Sequence, residues 1–574
     1  MLQIKEIFHL LNKKEKFNFC ILIFLMIINS VFEIMGITSI IPIISITIKN
    51  DLSLFEGMFF FDYLYEFSQK ENFVLLSFLF VGLVFILKNL FISFYNFFLN
   101  RFHSDTARRI SNNVYAYYLN LDYKDYLKLN TSKIIYDSTE AIEIFRRIIL
   151  NLSIFLLEFI VLSIIVIFLV YLNPVSTIFI ILILAAISVC FFYFFGRKNF
   201  FWGLEVKKSS KKRINILNSS ISSIKDVKIY SGENFFYKKF SSQNYFLNKY
   251  QKIHLFFLSL PKPFFETFIV IILLSSLYYF LTVVNISYEI IILNLAIFSV
   301  SLFRIYPSIY RIAGCFQKGN FGKAVLDDLT EIFKKEDIKN HFFNPKQTLI
   351  RGELNSLIIK GVSFRYEDKD LETLKNINLK LEKNQFIGIK GETGAGKSTL
   401  VDIISGLLKA ESGSFFINGQ ESSNLPKNWH NNISYVPQNI SLIDDTLERN
   451  IALAVNEQDI DKNKIDEVIR LSKLSKFAQS RTKDHILGER GLQVSGGEKQ
   501  RIGIARALYY NREIYIFDEA TNALDETTEK EILENIKKYS KNKIVIFISH
   551  KNSTLKFCDK IFNFSDGKLE LIKT

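Results

Sequence analysis

Residues 391–399 read G-E-T-G-A-G-K-S-T. Gly391, Gly396, Lys397 and Ser398 fit the phosphate-loop spacing G-x-x-x-x-G-K-[ST]. The apolar run Phe386 to Ile389 before it reads as a strand, and Thr399 to Leu408 after it reads as a helix. Strand, loop and helix in that order set this stretch apart from a glycine-rich turn that binds nothing. Glycines at 391, 394 and 396, with only Glu392, Thr393 and Ala395 between them, let backbone N–H groups close on a phosphate. The helix N-terminus at Ser398 and Thr399 adds its partial positive charge. Lys397 can reach the β- and γ-phosphates of ATP, and the Ser398 hydroxyl can ligate Mg²⁺.

Around this loop, short apolar strands alternate with helical stretches from residue 352 to 574, which is an α/β pattern. Tyr366, in V-S-F-R-Y, lies 25 residues before Gly391 and can stack on an adenine; the plainer reading is a strand tyrosine. Gln438 follows a strand end in Y-V-P-Q, where a neutral amide can ligate Mg²⁺ and sense the γ-phosphate. Ser495, Gly496 and Gly497 stand in V-S-G-G-E, ahead of a helix, and form a second anion site. One chain does not easily fold that turn onto its own phosphate loop, so its natural use is to cap ATP held by a second copy. The strand I-Y-I-F at 514–517 ends in Asp518 and Glu519. Asp518 would hold Mg²⁺ through water and Glu519 would polarise the attacking water. Asp525 closes N-A-L-D, and His550 ends a second buried strand, where it can orient water beside the γ-phosphate.

The other half of the chain differs in composition. The 574 residues are 49% hydrophobic, and the apolar ones crowd into the first 315 positions. Apolar segments at about 17–48, 73–99, 148–172, 175–195, 264–284 and 286–313 are each long enough to cross a hydrocarbon core. That gives six spans in a domain 1–322, a charged linker 323–351 and an ATPase domain 352–574. The segment after the first span is acidic and aromatic, and reads as an interfacial belt or a small amphipathic helix. The long basic connections Arg101–Arg147 and Arg197–Pro263 place themselves and both termini in the cytoplasm by the positive-inside rule. Both read as continuations of the spanning helices, each pair joined by a short transverse helix. The balance of 71 basic and 57 acidic residues, +14, then points to cytoplasmic loops and anionic headgroups. No basic stripe interleaved with stacking aromatics suggests nucleic acid. The four cysteines, Cys20, Cys190, Cys315 and Cys558, form no metal or disulfide spacing.

Several ionisable residues fall at membrane depth: Glu33, Lys88, Glu158, Glu266 and Arg304. Lys262 and Arg311 sit near cytoplasmic ends. A charge at mid-bilayer costs about 2.5–3.5 kcal/mol on insertion scales, so these groups face one another or a wet cavity. Glu33 or Glu158 paired with Arg304 is the structural reading, and Lys262 and Arg311 as snorkelling anchors is another. The functional reading makes Lys88, Lys262, Arg304 and Arg311 a lining for an anionic headgroup.

The ordered set Tyr366, Gly391–Thr399, Gln438, Val494–Glu498, Asp518–Glu519, Asp525 and His550 resembles the nucleotide-binding domain of ABC transporters. With six spans before it, the whole chain resembles the ABC exporters that work as dimers of half-transporters. The resemblance implies a membrane α-helical six-span domain fused to an α/β P-loop ATPase domain, using ATP and Mg²⁺ as a homodimer in the lipid bilayer. Lys225–Phe240 looks like that class's second coupling region, and Gly488–Gly491 like the loop that contacts coupling helices. V-S-G-G-E replaces the family's L-S-G-G-Q, which puts Glu498 near the site and raises the expectation of slower turnover. The pieces F-E-I-M-G-I-T-S-I-I-P-I, F-F-E-T-F and L-F-R-I-Y-P-S-I-Y-R-I look similar to bacterial flippases of the PglK type, which handle lipid-linked oligosaccharides. They imply a polyprenyl-pyrophosphate cargo in a bacterial inner membrane. Export of a peptide, another lipid or a drug is the alternative, with a peptide exporter carrying a processing domain disfavoured by the short stretch before the first span. A regulatory or channel-gating ATPase is a third reading, opposed by the presence of Glu519 and His550.

Overall fold

The computed structural model describes residues 2–38, 73–172, 174–282, 288–334, 353–367, 371–426, 428–480, 482, 485–488 and 494–573. The chain divides into two compact units, one of residues 1–121 and 128–342, the other of residues 122–127 and 343–574. The expected belt at 51–72, the ends of the first and fifth spans, the turn at Asn173 and the loop at Glu489–Gly491 lie outside the described residues.

The first unit is helical: α1 Leu2–Leu10, α2 Lys13–Thr38 and α3 Phe73–Leu119, then, beyond the short α4 Tyr123–Leu127, α5 Thr131–Ser138, α6 Glu140–Leu172, α7 Pro174–Ser222, α8 Ile224–Ile229, α9 Glu233–Ser259, α10 Pro261–Thr282 and α11 Tyr288–Lys334. At 1.5 Å per residue, the 47 residues of α3 run about 70 Å, more than twice the ~30 Å hydrocarbon core. The expected continuation of spanning helices beyond the bilayer is therefore present, and α4 and α8 are the expected short helices. Four stretches among the described residues are long and apolar enough to cross a membrane: Lys13–Glu33, Phe78–Leu119, Thr131–Ile167 and Glu233–Ser275. The expected fourth and sixth spans fall on α7 and α11, along which many side chains are outside the described set.

The helix α11 does not stop at Lys323, where the linker was expected to begin. It continues to Lys334 because Val325, Leu326, Leu329 and Ile332 make a buried stripe at helical spacing. That stripe joins an apolar cluster containing Ile7, Leu10 and Leu11 of the first helix and the turn after it. The charged residues between hid the period in the sequence.

Many of the basic residues that signal the cytoplasmic side are neutralised within the unit. Arg109 makes two 2.6 Å hydrogen bonds to Glu15, and Glu15 also accepts from the N–H of Asn12, fixing the α1–α2 turn. Lys207 lies 2.7 Å from Asp328, and Lys211 lies 3.2 Å from Asp328 and 3.3 Å from the buried Asp137. Tyr118 donates to the other oxygen of Asp137 at 2.7 Å. At membrane depth, Lys88 pairs with Glu33 at 2.9 Å. Glu158, 2% exposed, accepts from Arg311 at 2.5 Å and from Ser308 at 2.7 Å. The acids expected to neutralise Arg304 thus pair with Lys88 and Arg311, because α2 faces α3 and α6 faces α11. The Arg304 side chain is outside the described set. Lys262 is exposed at the start of α10.

The second unit holds two sheets. Strands β1 Ser356–Phe364, β2 Leu374–Glu382, β4 Ser412–Ile417 and β5 Gln420–Ser422 form an antiparallel sheet in the order β2-β1-β4-β5. Strands β3 Phe386–Gly391, β6 Ile433–Val436, β7 Ile514–Asp518, β8 Ile544–Ile548, β9 Lys560–Ser565 and β10 Lys568–Lys573 form the order β10-β9-β3-β8-β7-β6. The five strands from β9 to β6 are parallel, with β10 an antiparallel edge. Helices α12 Lys397–Ile404, α13 Leu447–Ile451, α14 Lys462–Leu471, α15 Ser475–Gln479, α16 Gly496–Tyr510, α17 Glu526–Tyr539 and α18 Asn552–Leu555 complete it. All five residues of β7 and of β8 are buried, as apolar runs in a covered parallel sheet should be, with Asp518 at the end of β7 the one polar exception. The short α4 also belongs to this unit. Tyr123 packs on its core, Lys124 pairs with Glu367 at 3.0 Å, and Asp122 pairs with Lys409 at 3.0 Å.

Asp137 joins α5 to α3 and α7 through a buried carboxylate. Asp137→Ala leaves the Tyr118 hydroxyl without its acceptor and Lys211 with one carboxylate instead of two. The loss should be about 2 kcal/mol. It should appear as a lower midpoint in detergent thermal unfolding, whereas Asp105→Ala, at an exposed pair, should leave the midpoint unchanged.

Candidate functional site

Register brings the site together. Ile389 of β3 and Asp518 of β7 both sit level with Ile548 of β8, so three chain segments leave the sheet at one carboxyl edge. The phosphate loop leaves from β3, Glu519 from β7, and Ser549 and His550 from β8.

The loop needs its glycines for two reasons. A Cβ on Gly391 would sit 2.2 Å from the carbonyl oxygen of Phe564 on neighbouring β9. Gly394 has φ +84 and open space on its Cβ side, so the demand there is conformational. Thr393, Gly394 and His550 line an open cleft of about 1120 Å³. Lys397 donates to the carbonyls of Gly391 and Glu392 and lies 3.3 Å from His550 Nε2. Burial lowers the Lys397 pKa, while the charges of Glu519 and Asp518 pull it back up. Ser398 is exposed, and Thr399 is buried and bonded to the Tyr366 hydroxyl at 3.2 Å. Tyr366 lies two residues past the end of β1, half-buried, so it is not a residue of that strand.

Glu519 has φ +50, a left-handed conformation that costs about 1–3 kcal/mol for a non-glycine residue. Its N–H donates to the carbonyl of Ile548 at 2.9 Å. Its carboxylate accepts from Gln438 Nε2 at 2.7 Å and Asn522 Nδ2 at 2.8 Å, and lies 3.5 Å from His550 Nε2. Gln438, Glu519, His550 and Lys397 therefore converge beside the phosphate loop. Asp518 is buried, and the Tyr435 hydroxyl donates to it at 3.3 Å. Burial and the Glu519 charge raise the Asp518 pKa, opposed by the Tyr435 bond and Lys397.

The donors fit Mg²⁺. With its Nε2 turned to Glu519, Gln438 presents its amide oxygen, and the Ser398 hydroxyl and Asp518 carboxylate are equally hard ligands. Among the described residues, no cluster of three or more His, Cys, Asp or Glu offers an all-protein metal cage.

Two of the residues expected near the site also serve the backbone. Asp525 is the N-cap of α17, accepting from Thr528 N–H at 2.9 Å and from the Thr527 hydroxyl at 2.5 Å. These bonds hold its carboxyl below the usual range. Glu498 does not project as a free acid toward the site. It closes a capping box, accepting from Ser495 N–H at 2.8 Å while its own N–H donates to Ser495 Oγ. Ser495, Gly496 and Gly497 thus form the capped start of α16, and the two glycines pack on Ala523.

Sequence reasoning does not single out Gln500, Asn522 or Tyr435. For Gln500 a signal exists: it occupies the same helical face as Gly503, Ile504, Ala507 and Leu508, all buried. A polar residue on such a stripe needs a partner.

Residues 374–522 match the family model described as ABC transporter. A putative export ATP-binding/permease protein of Rickettsia bellii is 29% identical over 519 residues, covering 86% of this chain and 85% of the relative. The ATP-dependent lipid A-core flippase of Escherichia coli K12 is 31% identical over 271 residues, 47% of this chain and 45% of the flippase. The match to that flippase therefore spans less than half its length, and several other relatives align over a similar share. A solved bacterial Atm1-family ABC exporter with ATP bound superposes with a TM-score of 0.79 at 19% identity, over 98% of this chain and 95% of its own. That likeness extends through both units of the fold.

Burial, with the Asp518 charge second, raises Asp402 on α12 to about 6. An unfolded Asp ionises near ~3.9, so between these values the native state keeps a proton the unfolded chain has lost. Asp402 thus weakens the fold increasingly as pH rises through 4 to 6 and fully above that range. Asp402→Asn should stabilise the fold at pH 8 by on the order of 1 kcal/mol after solvent screening, read as a higher thermal midpoint, and change it little near pH 4. Thermal unfolding across that range checks the sign.

Proposed function

We propose that the chain, which joins a domain matching the ABC transporter family to a helical domain of the exporter fold, is an ATP-driven flippase for an amphiphile with an anionic headgroup. The leading cargo is a polyprenyl-pyrophosphate-linked oligosaccharide, moved from the inner to the outer leaflet of a bacterial inner membrane. The observation that carries the ATP-driven part is the convergence of Lys397, Gln438, Glu519 and His550 at one sheet edge.

The Gly391–Thr399 backbone and Lys397 bind the phosphates. Ser398, Gln438 and Asp518 would hold Mg²⁺, which neutralises charge on the transferring phosphoryl group. Gln438 and Asn522 aim the Glu519 carboxylate at the attacking water, whose proton it accepts. His550 orients that water and the γ-phosphate. Tyr366 is the candidate adenine contact. A second copy supplies its Ser495–Gly497 turn across the nucleotide, so two chains form two sites. Closure of those sites drives the helical domains between inward and outward access.

The basic groups Lys262, exposed on α10, and Arg311, 46% exposed on α11 despite its bond to Glu158, support an anionic headgroup. Tyr306 brings these helices together, its hydroxyl donating to the carbonyl of Lys262 at 3.2 Å. Arg304 remains in the proposed set by its sequence position. Lys88 leaves it, since its ammonium is sheltered against Glu33. Some relatives are named as ATP-dependent lipid A-core flippases, which makes lipid A-type cargo the second reading.

Proteoliposomes separate these cargoes. ATP-dependent flipping of the pyrophosphate-linked oligosaccharide, absent in Glu519→Gln and reduced about tenfold in Arg311→Ala, is the expected result. Flipping of a lipid A-type lipid alone would transfer the reading to that cargo. ATP hydrolysis with neither lipid flipped would contradict the lipid reading and turn the search to peptides and drugs.

A further inference from the structure

Gln500 stands one turn into α16, 8% exposed, and uses both ends of its amide. Its Oε1 accepts from the N–H of Ala523 at 2.8 Å. Its Nε2 donates to the carbonyl of Glu519 at 3.3 Å. With an N–H on one side and a C=O on the other, only one orientation of the amide satisfies both. The backbone crowds the same place: a Cβ on Gly497 would approach the Ala523 carbonyl to 3.0 Å. Gln500 therefore lies between the Ser495–Gly497 turn and the segment from Glu519 to Ala523.

Glu519 needs such support. Its φ of +50 is strained, and a strained residue keeps its conformation only where its surroundings over-determine it. Ile548 holds its N–H, Gln438 and Asn522 hold its carboxylate, and its carbonyl accepts from Asn522 N–H at 3.2 Å and from Gln500. Of these partners, only Gln500 comes from the helix that begins with the Ser495–Gly497 turn.

We propose that Gln500 is a positioning residue that couples the two ATP sites of the dimer. The inference rests on the reading above, in which the Ser495–Gly497 turn contacts the nucleotide bound by a second copy. Under that reading the turn and Glu519 of one chain serve different ATP molecules. A shift of the turn on contact with the partner's nucleotide moves the start of α16. Gln500 passes that shift to the backbone of Glu519 and to Ala523. Hydrolysis in one site then depends on occupancy of the other through a buried amide. Leucine-like packing at position 500 would preserve the helix and lose the tie.

The test uses the full chain in nanodiscs and compares wild type with Gln500→Met and Gln500→Glu. Methionine matches the length and removes both hydrogen bonds. Glutamate keeps an acceptor for the Ala523 N–H but sets an oxygen against the Glu519 carbonyl. ATP turnover is measured against ATP concentration, alongside binding of a fluorescent ATP analogue and the thermal midpoint. Both variants should lose about tenfold in kcat and show a Hill coefficient reduced toward about 1, with nucleotide affinity kept within about twofold and the midpoint within a few degrees. Wild-type kcat and cooperativity in either variant would overturn the proposal. So would a parallel fall in midpoint, affinity and kcat in both, which marks a purely structural residue. Hydrolysis by the wild type that persists in Glu519→Gln would overturn the ATP-site reading itself and this proposal with it.

Discussion

Strand register is the constraint on which the ATP site depends. Ile389, Ile548 and Asp518 lie level in a parallel sheet, and that alignment delivers a phosphate loop, a carboxylate pair and a histidine to one edge. A slip of one residue in β7 would turn Asp518 and Glu519 to opposite faces from those they now occupy. The burial of β7 and β8 along their whole length opposes it, because a slip would unseat their packed apolar side chains and carry Asp518 away from the Tyr435 hydroxyl. The strained turn at Glu519 follows from the same alignment. The chain must leave the sheet abruptly to keep that carboxylate beside Gln438 and His550 rather than carry it past them.

The phosphate loop, Gln438, Asp518, Glu519 and His550 were legible in the sequence because each sits at the end of an apolar run and the runs come in a fixed order. The short transverse helices and the extension of spanning helices beyond the bilayer were legible for a similar reason, the persistence of helical period through basic connections. Three things were not. Asp525 and Glu498 carry the same residue types whether they face a ligand or cap a helix, and their capping bonds show only in the coordinates. Gln500 sits in K-Q-R, where its neighbours' charge hides that its own face is buried. The end of α11 was hidden by composition: Lys323, Asp327 and Asp328 suggested a linker, while Val325, Leu326, Leu329 and Ile332 kept the helix packed.

Charge in the helical unit follows a consistent economy of geometry. Where a helix is too deep for water to solvate an ammonium, an acid on the facing helix meets it, as Glu33 meets Lys88. In the long helical extensions, Asp137 and Asp328 gather Lys207 and Lys211. The net charge of +14 is therefore a poor guide to which cations face a cargo. Residual exposure is the better guide. Arg311 keeps nearly half of its side chain accessible although Glu158 holds one nitrogen, and a guanidinium with free N–H groups can still bind phosphate oxygens.

The most direct measurement of the link between that headgroup chemistry and the ATP site is stimulation of ATP turnover in nanodiscs by a polyprenyl-pyrophosphate oligosaccharide, with the same oligosaccharide on an uncharged polyprenyl chain as its comparison. Coupling through an anionic headgroup predicts that the pyrophosphate lipid raises turnover and the uncharged lipid does not. Equal stimulation by both, or by neither, would contradict it.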